Sequence, residues 1–187
     1  GLTFFMIGGL LYFLSRSEFG APLGEGSRIS AAGDILAIIG SLTMMCYMGF
    51  VYTASKGIPF WNSTLHPVLY IAYAIRGGIA VLVLTLALRG QELGGESGLL
   101  ELWIGVTAVV IVLWVLEIQG AVSSGDETAK RSINDLLAGR LAVYFYGGTL
   151  LIGLVVPLVL TTGTIAPLSA SILAVIGLAS IIGDFFM

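Results

Sequence analysis

Charged residues, cysteine and histidine are all scarce in this sequence. Only 10% of its 187 residues are Asp, Glu, Lys or Arg, whereas 57% are hydrophobic, and the mean hydropathy is +1.03. This balance excludes an ordinary soluble domain and indicates an integral membrane protein. The net charge of −3 is small and no basic cluster occurs, which excludes nucleic acid as a partner.

A single cysteine and a single histidine narrow the redox chemistry that the chain could perform alone. Cys46 has no second cysteine for an internal disulfide, and one thiol cannot supply the roughly four ligands of an iron–sulfur cluster. His66 is the only histidine, so bis-histidine ligation of a haem is excluded. No Gly-x-Ser-x-Gly motif marks a serine nucleophile. We therefore expect no haem, iron–sulfur cluster or other metal held by this chain alone, and no catalytic residue of these classes.

Long apolar runs dominate the rest of the sequence and predict an all-α, polytopic transmembrane helix bundle that forms one domain over residues 1–187. The six predicted helices are residues 1–14, 31–54, 66–88, 99–120, 141–161 and 167–187. The first would reach only roughly 21 Å as a helix, so we expect it to be truncated relative to the ~30 Å hydrocarbon core. In the polar loop 121–140, the spacing of Ile133, Leu136 and Leu137 predicts an interfacial helix.

A few ionisable residues fall within these helices or at their ends. Counting ~1.5 Å per residue places Arg76 near the membrane midplane. The same count places Glu117, Arg140 and Asp184 towards the membrane face that holds residues 59–62. It places Glu101 and Asp34 towards the other face. Two interpretations stay open: a proton path through Arg76, Glu101, Glu117, Arg140 and Asp184, or ion pairs that join Arg140 to Glu117 or Asp184. In both, Arg76 needs a buried acid or a ligand.

A second group of side chains has the chemistry of a quinone site. A quinone needs an apolar slot, a hydrogen-bond donor at each carbonyl and groups that exchange protons. His66, Tyr70 and Tyr73 follow one another at i, i+4 and i+7, which places them on one helical stripe. The full set of candidates is Tyr47, Asn62, His66, Tyr70 and Tyr73. His66 is equally consistent with a residue that only starts an interfacial helix and bonds to backbone.

Short motifs in the middle of the chain form a known pattern. Tyr47-Met-Gly49 is followed about ten residues later by Pro59-Phe60-Trp61-Asn62, then by Pro67 and by Gly77-Gly78. Arg140, Pro157 and Gly183-Asp184-Phe185 follow in the last two helices. Together these motifs resemble the polysulfide-reductase membrane-subunit family (NrfD/PsrC-like), whose pattern has Tyr-Thr-Gly before the Pro-Phe-Trp-Asn turn. Met48 departs from that threonine, and Arg76 stands where a small residue is common.

The resemblance implies a haem-free, quinone-reactive anchor (menaquinone or ubiquinone) in the prokaryotic cytoplasmic membrane. Members typically have eight or more helices, so this chain would correspond to the third helix onward. They dock a ferredoxin-like iron–sulfur subunit that connects to a catalytic subunit, often a molybdopterin enzyme. The resemblance makes Tyr47 the best quinone-contacting candidate and places the turn at residues 59–62 near the docking surface. The subunit itself would hold no catalytic centre.

Two other functions remain open from the residues. A small transporter or proton-conducting subunit without redox chemistry would also need charged groups at membrane depth and glycines for close helix packing. A purely structural anchor would need only the packing. Loop lysines and arginines divide three against four between the two faces, so the orientation in the membrane stays open too.

Overall fold

The computed structural model describes residues 1–16, 28–54, 63–93, 97–162 and 167–186. Contacts between Cα atoms divide the chain into two compact units, Gly1–Tyr52 and Thr53–Met187, and each unit is described by itself. The helices of the described ranges are α1 Leu2–Arg16, α2 Arg28–Ala54, α3 His66–Leu88, α4 Gly98–Ser123, α5 Glu127–Leu137, α6 Tyr144–Thr162 and α7 Ala170–Phe185. The Pro-Phe-Trp-Asn turn at 59–62 and the turn expected at 162–166 lie wholly or largely outside the described residues.

The first unit is a pair of closely packed helices, α1 and α2. A Cβ atom on Gly8 would lie 2.3 Å from the Ala37 backbone nitrogen, and one on Gly40 would lie 2.3 Å from the Phe5 backbone nitrogen. The two backbones therefore touch, which only glycine permits. In lipid, close backbone approach supplies the van der Waals contact that hydrophobic side chains supply in water.

In the second unit, α7 packs against both α3 and α6, α3 packs against α4, and α4 packs against α5. Leu93 and Leu168 exchange backbone hydrogen bonds of 3.3 and 2.8 Å, which tie the end of α3 to the start of α7. The short helix α5 occurs where the sequence predicts an interfacial helix. The side chain of Asp126 caps α5 by accepting a hydrogen bond from the Thr128 N–H at 2.7 Å.

The distribution of side chains is that of a protein in lipid. Four helices (α2, α3, α4 and α6) are long and apolar enough to cross a membrane, and α1 and α7 are shorter apolar helices. Large apolar side chains such as Ile38, Leu82 and Val112 are more than half exposed, whereas most buried positions of α2 are glycines. Soluble proteins show the opposite arrangement. The predicted all-helical transmembrane architecture is confirmed, and the six apolar helices correspond to its six predicted segments.

Helix α6 is irregular in a way that the hydropathy pattern does not reveal. Its first twelve residues, Tyr144–Val155, form a π-helix, and Val156–Thr162 continue as an α-helix. Pro157 lies just after this junction and has no N–H to donate. The carbonyl four residues earlier, that of Gly153, therefore has no α-helical donor. π-Helical segments are rare in proteins, and those that do occur are often found at functional sites.

Helices α6 and α7 cross where two glycines meet. A Cβ atom on Gly183 would lie 2.0 Å from the Cα atom of Gly153, and a Cβ on Gly153 would lie 2.6 Å from the Cα of Gly183. Neither contact can be relieved by a side-chain rotation, because backbone atoms meet on both sides. This crossing fixes how far α7 reaches along α6.

We expect Gly183→Ala to destabilise the second unit by about 1–3 kcal/mol, because the added methyl group forces the two backbones apart. Thermal unfolding of the purified protein in detergent measures the effect. Gly78→Ala is the matched control, because a Cβ at Gly78 meets no atom within 4 Å. A Gly183→Ala protein as stable as the Gly78→Ala protein would show that the crossing is not tight.

Candidate functional site

Helices α3 and α4 bring two sets of polar side chains together in the second unit. His66 on α3 contacts Glu117 on α4, and Arg76 on α3 contacts Thr107 on α4. The two contacts are ten residues apart on both helices, as expected for an antiparallel pair in constant register. At ~1.5 Å per residue, the two sets are separated by roughly 15 Å along the helix axis.

The first set is a buried acid–histidine pair at the start of α3. His66 Nδ1 lies 3.1 Å from Glu117 Oε1, and the Ser63 hydroxyl donates a hydrogen bond of 2.8 Å to Glu117 Oε2. Glu117 is only 4% exposed and His66 only 8%. Either the imidazole donates to a carboxylate or a protonated carboxyl group donates to neutral Nδ1. When the pair releases a proton, one negative charge stays on Glu117, where hydrogen bonds from His66 Nδ1–H and the Ser63 hydroxyl can stabilise it.

The second set surrounds Arg76, which is fully buried. Its Nη1 donates to Asp184 Oδ1 on α7, its Nη2 donates to the Gly153 carbonyl on α6, and its Nε donates to the Thr107 hydroxyl at 3.2 Å. The guanidinium carbon also lies 5.4 Å from the centre of the Trp103 ring, within cation–π range. Of the two expected partners for Arg76, a buried acid or a ligand, the structure shows an acid, Asp184, whose side chain is 21% exposed.

The second set depends on the irregularity of α6 and on the glycine crossing. Pro157 leaves the Gly153 carbonyl without an α-helical N–H donor. The Arg76 guanidinium donates a hydrogen bond to this carbonyl instead. The contact between the backbones of Gly183 and Gly153 brings the next residue, Asp184, to the level of Arg76. Arg76 is close to the middle of α3. The placement of Asp184 towards the face at the His66 end is therefore wrong. The reason is that the α6–α7 crossing, rather than the residue count along α7, sets its depth.

Tyr70 and Tyr73 lie between the two sets on α3. The Tyr70 ring is 5.5 Å from the His66 ring, centre to centre. Tyr73 packs against Leu69, Ala72 and Val110, and its buried hydroxyl oxygen has no hydrogen-bond partner among the described residues. Tyr73 lies seven residues after His66 and three before Arg76 on α3, and thus in the interval between the two polar sets.

In the first unit, Tyr47 lines an apolar groove. The groove has a volume of about 370 Å³ and is lined by Gly1, Leu2, Thr43, Met44, Tyr47 and Met48. Its volume lies within the roughly 300–1,000 Å³ typical of sites for small molecules. Tyr47 is 64% exposed, so its hydroxyl is accessible at the rim of an otherwise apolar surface.

The remaining predicted residues do not join the buried sets. Asn62 lies outside the described residues, and Glu101 and Arg140 are exposed. The expected pairing of Arg140 with Glu117 or Asp184 is wrong, because these two acids bind His66 and Arg76 instead. Across the described ranges, no group of three or more His, Cys, Asp and Glu side chains could hold a metal ion.

The sequence-based prediction missed three contributors: Ser63, Thr107 and the Gly153 carbonyl. Hydroxyl side chains are common in membrane helices, and nothing in the local sequence marks these two as functional. Only the Gly153 carbonyl could have been predicted from the sequence. A proline in a helix, here Pro157, leaves the carbonyl four residues before it without its N–H donor.

The fold and these two sets define a helical integral membrane protein with a buried acid–histidine pair and a buried arginine paired with a partly buried aspartate. The family model described as "Polysulphide reductase, NrfD" matches residues 16–187. The chain belongs to this polysulphide reductase NrfD family, as its motifs predicted.

Two curated relatives agree with this assignment. The chain is 27% identical to "Protein NrfD homolog" of Haemophilus influenzae over 154 residues, which cover 79% of this chain and 47% of the relative. It is 26% identical to "Protein NrfD" of Escherichia coli over 130 residues, which cover 68% of this chain and 41% of the relative. The chain thus spans less than half the length of these relatives. No solved structure matches it.

We expect Asp184→Asn to destabilise the protein by about 3–5 kcal/mol, because it leaves the buried Arg76 guanidinium without a counter-charge. Thermal unfolding in detergent measures the loss. The double variant Arg76→Met/Asp184→Leu removes both charges and should be more stable than Asp184→Asn. Asp135→Asn, at an exposed position of α5, is the control. Equal stability of Asp184→Asn and Asp135→Asn would contradict a structural ion pair.

Proposed function

We propose that this chain is the haem-free, quinone-reactive membrane subunit of a multi-subunit redox complex in a prokaryotic cytoplasmic membrane. In this proposal it exchanges electrons with an iron–sulfur partner protein, which in turn serves a catalytic subunit such as a molybdopterin enzyme. Quinol oxidation releases electrons and protons in equal number. The electrons leave to the iron–sulfur partner, and the protons leave through side chains of this subunit.

The buried His66–Glu117 pair is the observation that carries the proposal. A quinone carbonyl that gains electrons must also gain protons, and a quinol that loses electrons must release them. Few side chains of a membrane helix can exchange a proton, and burying one is costly unless it is paired. Glu117, held by His66 Nδ1 and the Ser63 hydroxyl, is such a paired group. The Tyr70 ring, tilted by 53° against the His66 ring at 5.5 Å, adds an aromatic surface and a hydroxyl group beside the pair.

The groove beside Tyr47 supports the same proposal from the first unit. A quinone head and its isoprenoid tail are apolar, and the groove is lined mainly by Leu2, Met44 and Met48. Methionine side chains adapt to irregular ligands because they are flexible and polarisable. The Tyr47 hydroxyl can donate a hydrogen bond to a quinone carbonyl.

Family membership supports a role in redox chemistry, because the family is described as a polysulphide reductase family. The chain covers less than half of its curated relatives, so the quinone, the partners and the direction of electron flow are part of the proposal. Purification of the complex from its native membrane should recover an iron–sulfur protein with this chain. A preparation without any redox protein would count against the assembly proposed.

The second candidate is a proton-conducting subunit without redox chemistry. The Arg76–Asp184 pair favours it, because charged groups at this depth commonly line ion pathways. Reconstitution into liposomes separates the two candidates. Proton flux from the subunit alone, with no quinol-dependent reduction in the intact complex, would favour this second function.

We expect Glu117→Gln to lower quinol-dependent reduction of the iron–sulfur partner by roughly 10²-fold, a typical value for loss of a general acid–base group. Glutamine keeps the size and a hydrogen bond to Ser63 but cannot exchange the proton. Glu101→Gln is the matched control on the same helix, because Glu101 is exposed in its first turn. Rapid-mixing spectroscopy of the partner clusters measures the rate. Turnover of Glu117→Gln at the Glu101→Gln rate would remove Glu117 from the quinone chemistry.

We expect Tyr47→Phe to weaken quinone binding and the quinol-dependent rate strongly, because it removes the hydroxyl group and keeps the apolar groove. One lost hydrogen bond predicts a decrease of about tenfold in affinity. Quinone titration of the purified complex measures it. Tyr144→Phe, at a comparably exposed tyrosine of α6, should bind quinone as the unmodified protein does. Unchanged binding in Tyr47→Phe would place the quinone elsewhere.

A further inference from the structure

Tyr73 occupies the interval between the two buried polar sets. It lies seven residues after His66 and three before Arg76 on α3. Long side chains of a helix point back over the turn that precedes them. The Tyr73 ring therefore extends from its own level, roughly 4.5 Å before Arg76 along α3, back towards the level of Glu117.

Several buried polar atoms of the second unit have no hydrogen-bond partner among the described residues, and the Tyr73 hydroxyl oxygen and Asp184 Oδ2 are two of them. Asp184 Oδ1 is taken by Arg76, so Oδ2 is the oxygen left to accept a further bond. Gly77 keeps space beside it, because a Cβ at Gly77 would lie 3.5 Å from Oδ2. Buried polar groups of this kind are satisfied by ordered water where protein atoms do not reach them.

We propose that the Tyr73 hydroxyl, together with internal water, relays protons between the His66–Glu117 pair and the Arg76–Asp184 pair. This inference rests on the proposed function, because it gives the route by which protons of the quinone reaction leave Glu117. The hydroxyl oxygen accepts a proton from the Glu117 side and releases its own to a water molecule that donates to Asp184 Oδ2. Tyr73 ends unchanged, and one proton has moved from Glu117 to Asp184.

Arg76 keeps its charge throughout this transfer, since a guanidinium does not release its proton in proteins. Its role is to hold Asp184 in place and to keep the carboxylate anionic before the proton arrives. Tyr73 thus acts through Glu117 and Asp184 as a relay residue, although the sequence alone made it a candidate for direct contact with quinone. Burial of its hydroxyl oxygen favours the relay role.

The test uses Tyr73→Phe, which keeps the ring packed on Leu69 and Val110 and removes only the hydroxyl group. The intact complex is reconstituted into liposomes, and proton uptake driven by an imposed membrane potential is measured without quinol. We expect the rate to fall about tenfold or more, as for loss of a proton-transfer group. Tyr146→Phe, at an exposed tyrosine of α6, is the control and should conduct as the unmodified complex does.

Proton uptake by Tyr73→Phe at the control rate would overturn the relay, as would an unmodified complex that conducts no protons under the imposed potential. Because this assay contains no quinol, it is independent of the quinone chemistry. A complex that conducts through Tyr73 but never oxidises quinol would contradict only the proposed function.

A second measurement distinguishes a relay from a structural role. Replacing Tyr73 by a ring-fluorinated tyrosine keeps the shape of the side chain and makes its hydroxyl group more acidic. A relay predicts a changed proton-uptake rate and a changed solvent deuterium isotope effect, whereas a packing role predicts neither. The fluorinated variant also tests the relay if the Tyr73→Phe complex does not assemble. An unchanged rate and isotope effect in the fluorinated complex would overturn the proposal.

Discussion

A positive charge buried in the middle of an apolar helix must have its N–H groups satisfied, and Arg76 sets this constraint for the second unit. A guanidinium in hydrocarbon is costly, so its surroundings have to supply a counter-charge and acceptors in fixed positions. Helix α7 supplies Asp184, α6 supplies the Gly153 carbonyl and α4 supplies Thr107. One side chain of α3 is thereby bonded to three other helices.

The backbone of α6 and the glycines are adapted to this requirement. Pro157 and the π-helical segment before it leave the Gly153 carbonyl available within the bundle. Gly183 allows α7 to cross α6 at the same place, so that Asp184 reaches the guanidinium. A residue with a side chain at Gly183 would displace the carboxylate and the carbonyl together. The backbone contact between α6 and α7 and the charge pair of Arg76 with Asp184 therefore depend on each other.

The constant register of α3 and α4 gives the site its functional order. It places the acid–histidine pair near one end of α3 and the arginine–aspartate pair near its middle, with Tyr73 between them. Polar side chains are thus arranged along the axis of α3. Membership of the NrfD family is the reason why quinone chemistry is proposed for this arrangement.

The sequence by itself determined the helices, the membrane environment, the family and the need of Arg76 for a buried acid. These follow from hydropathy, short motifs and the cost of a lone charge, all of which are local properties of the chain. The tertiary structure decided that Asp184 is the partner of Arg76, that Glu117 binds His66 rather than Arg140, and that Ser63 and the Gly153 carbonyl take part. Asp184 lies 108 residues from Arg76 in the sequence. Such pairings depend on where helices cross, and the crossing of α6 and α7 is set by a contact between two glycine backbones that no hydropathy pattern records.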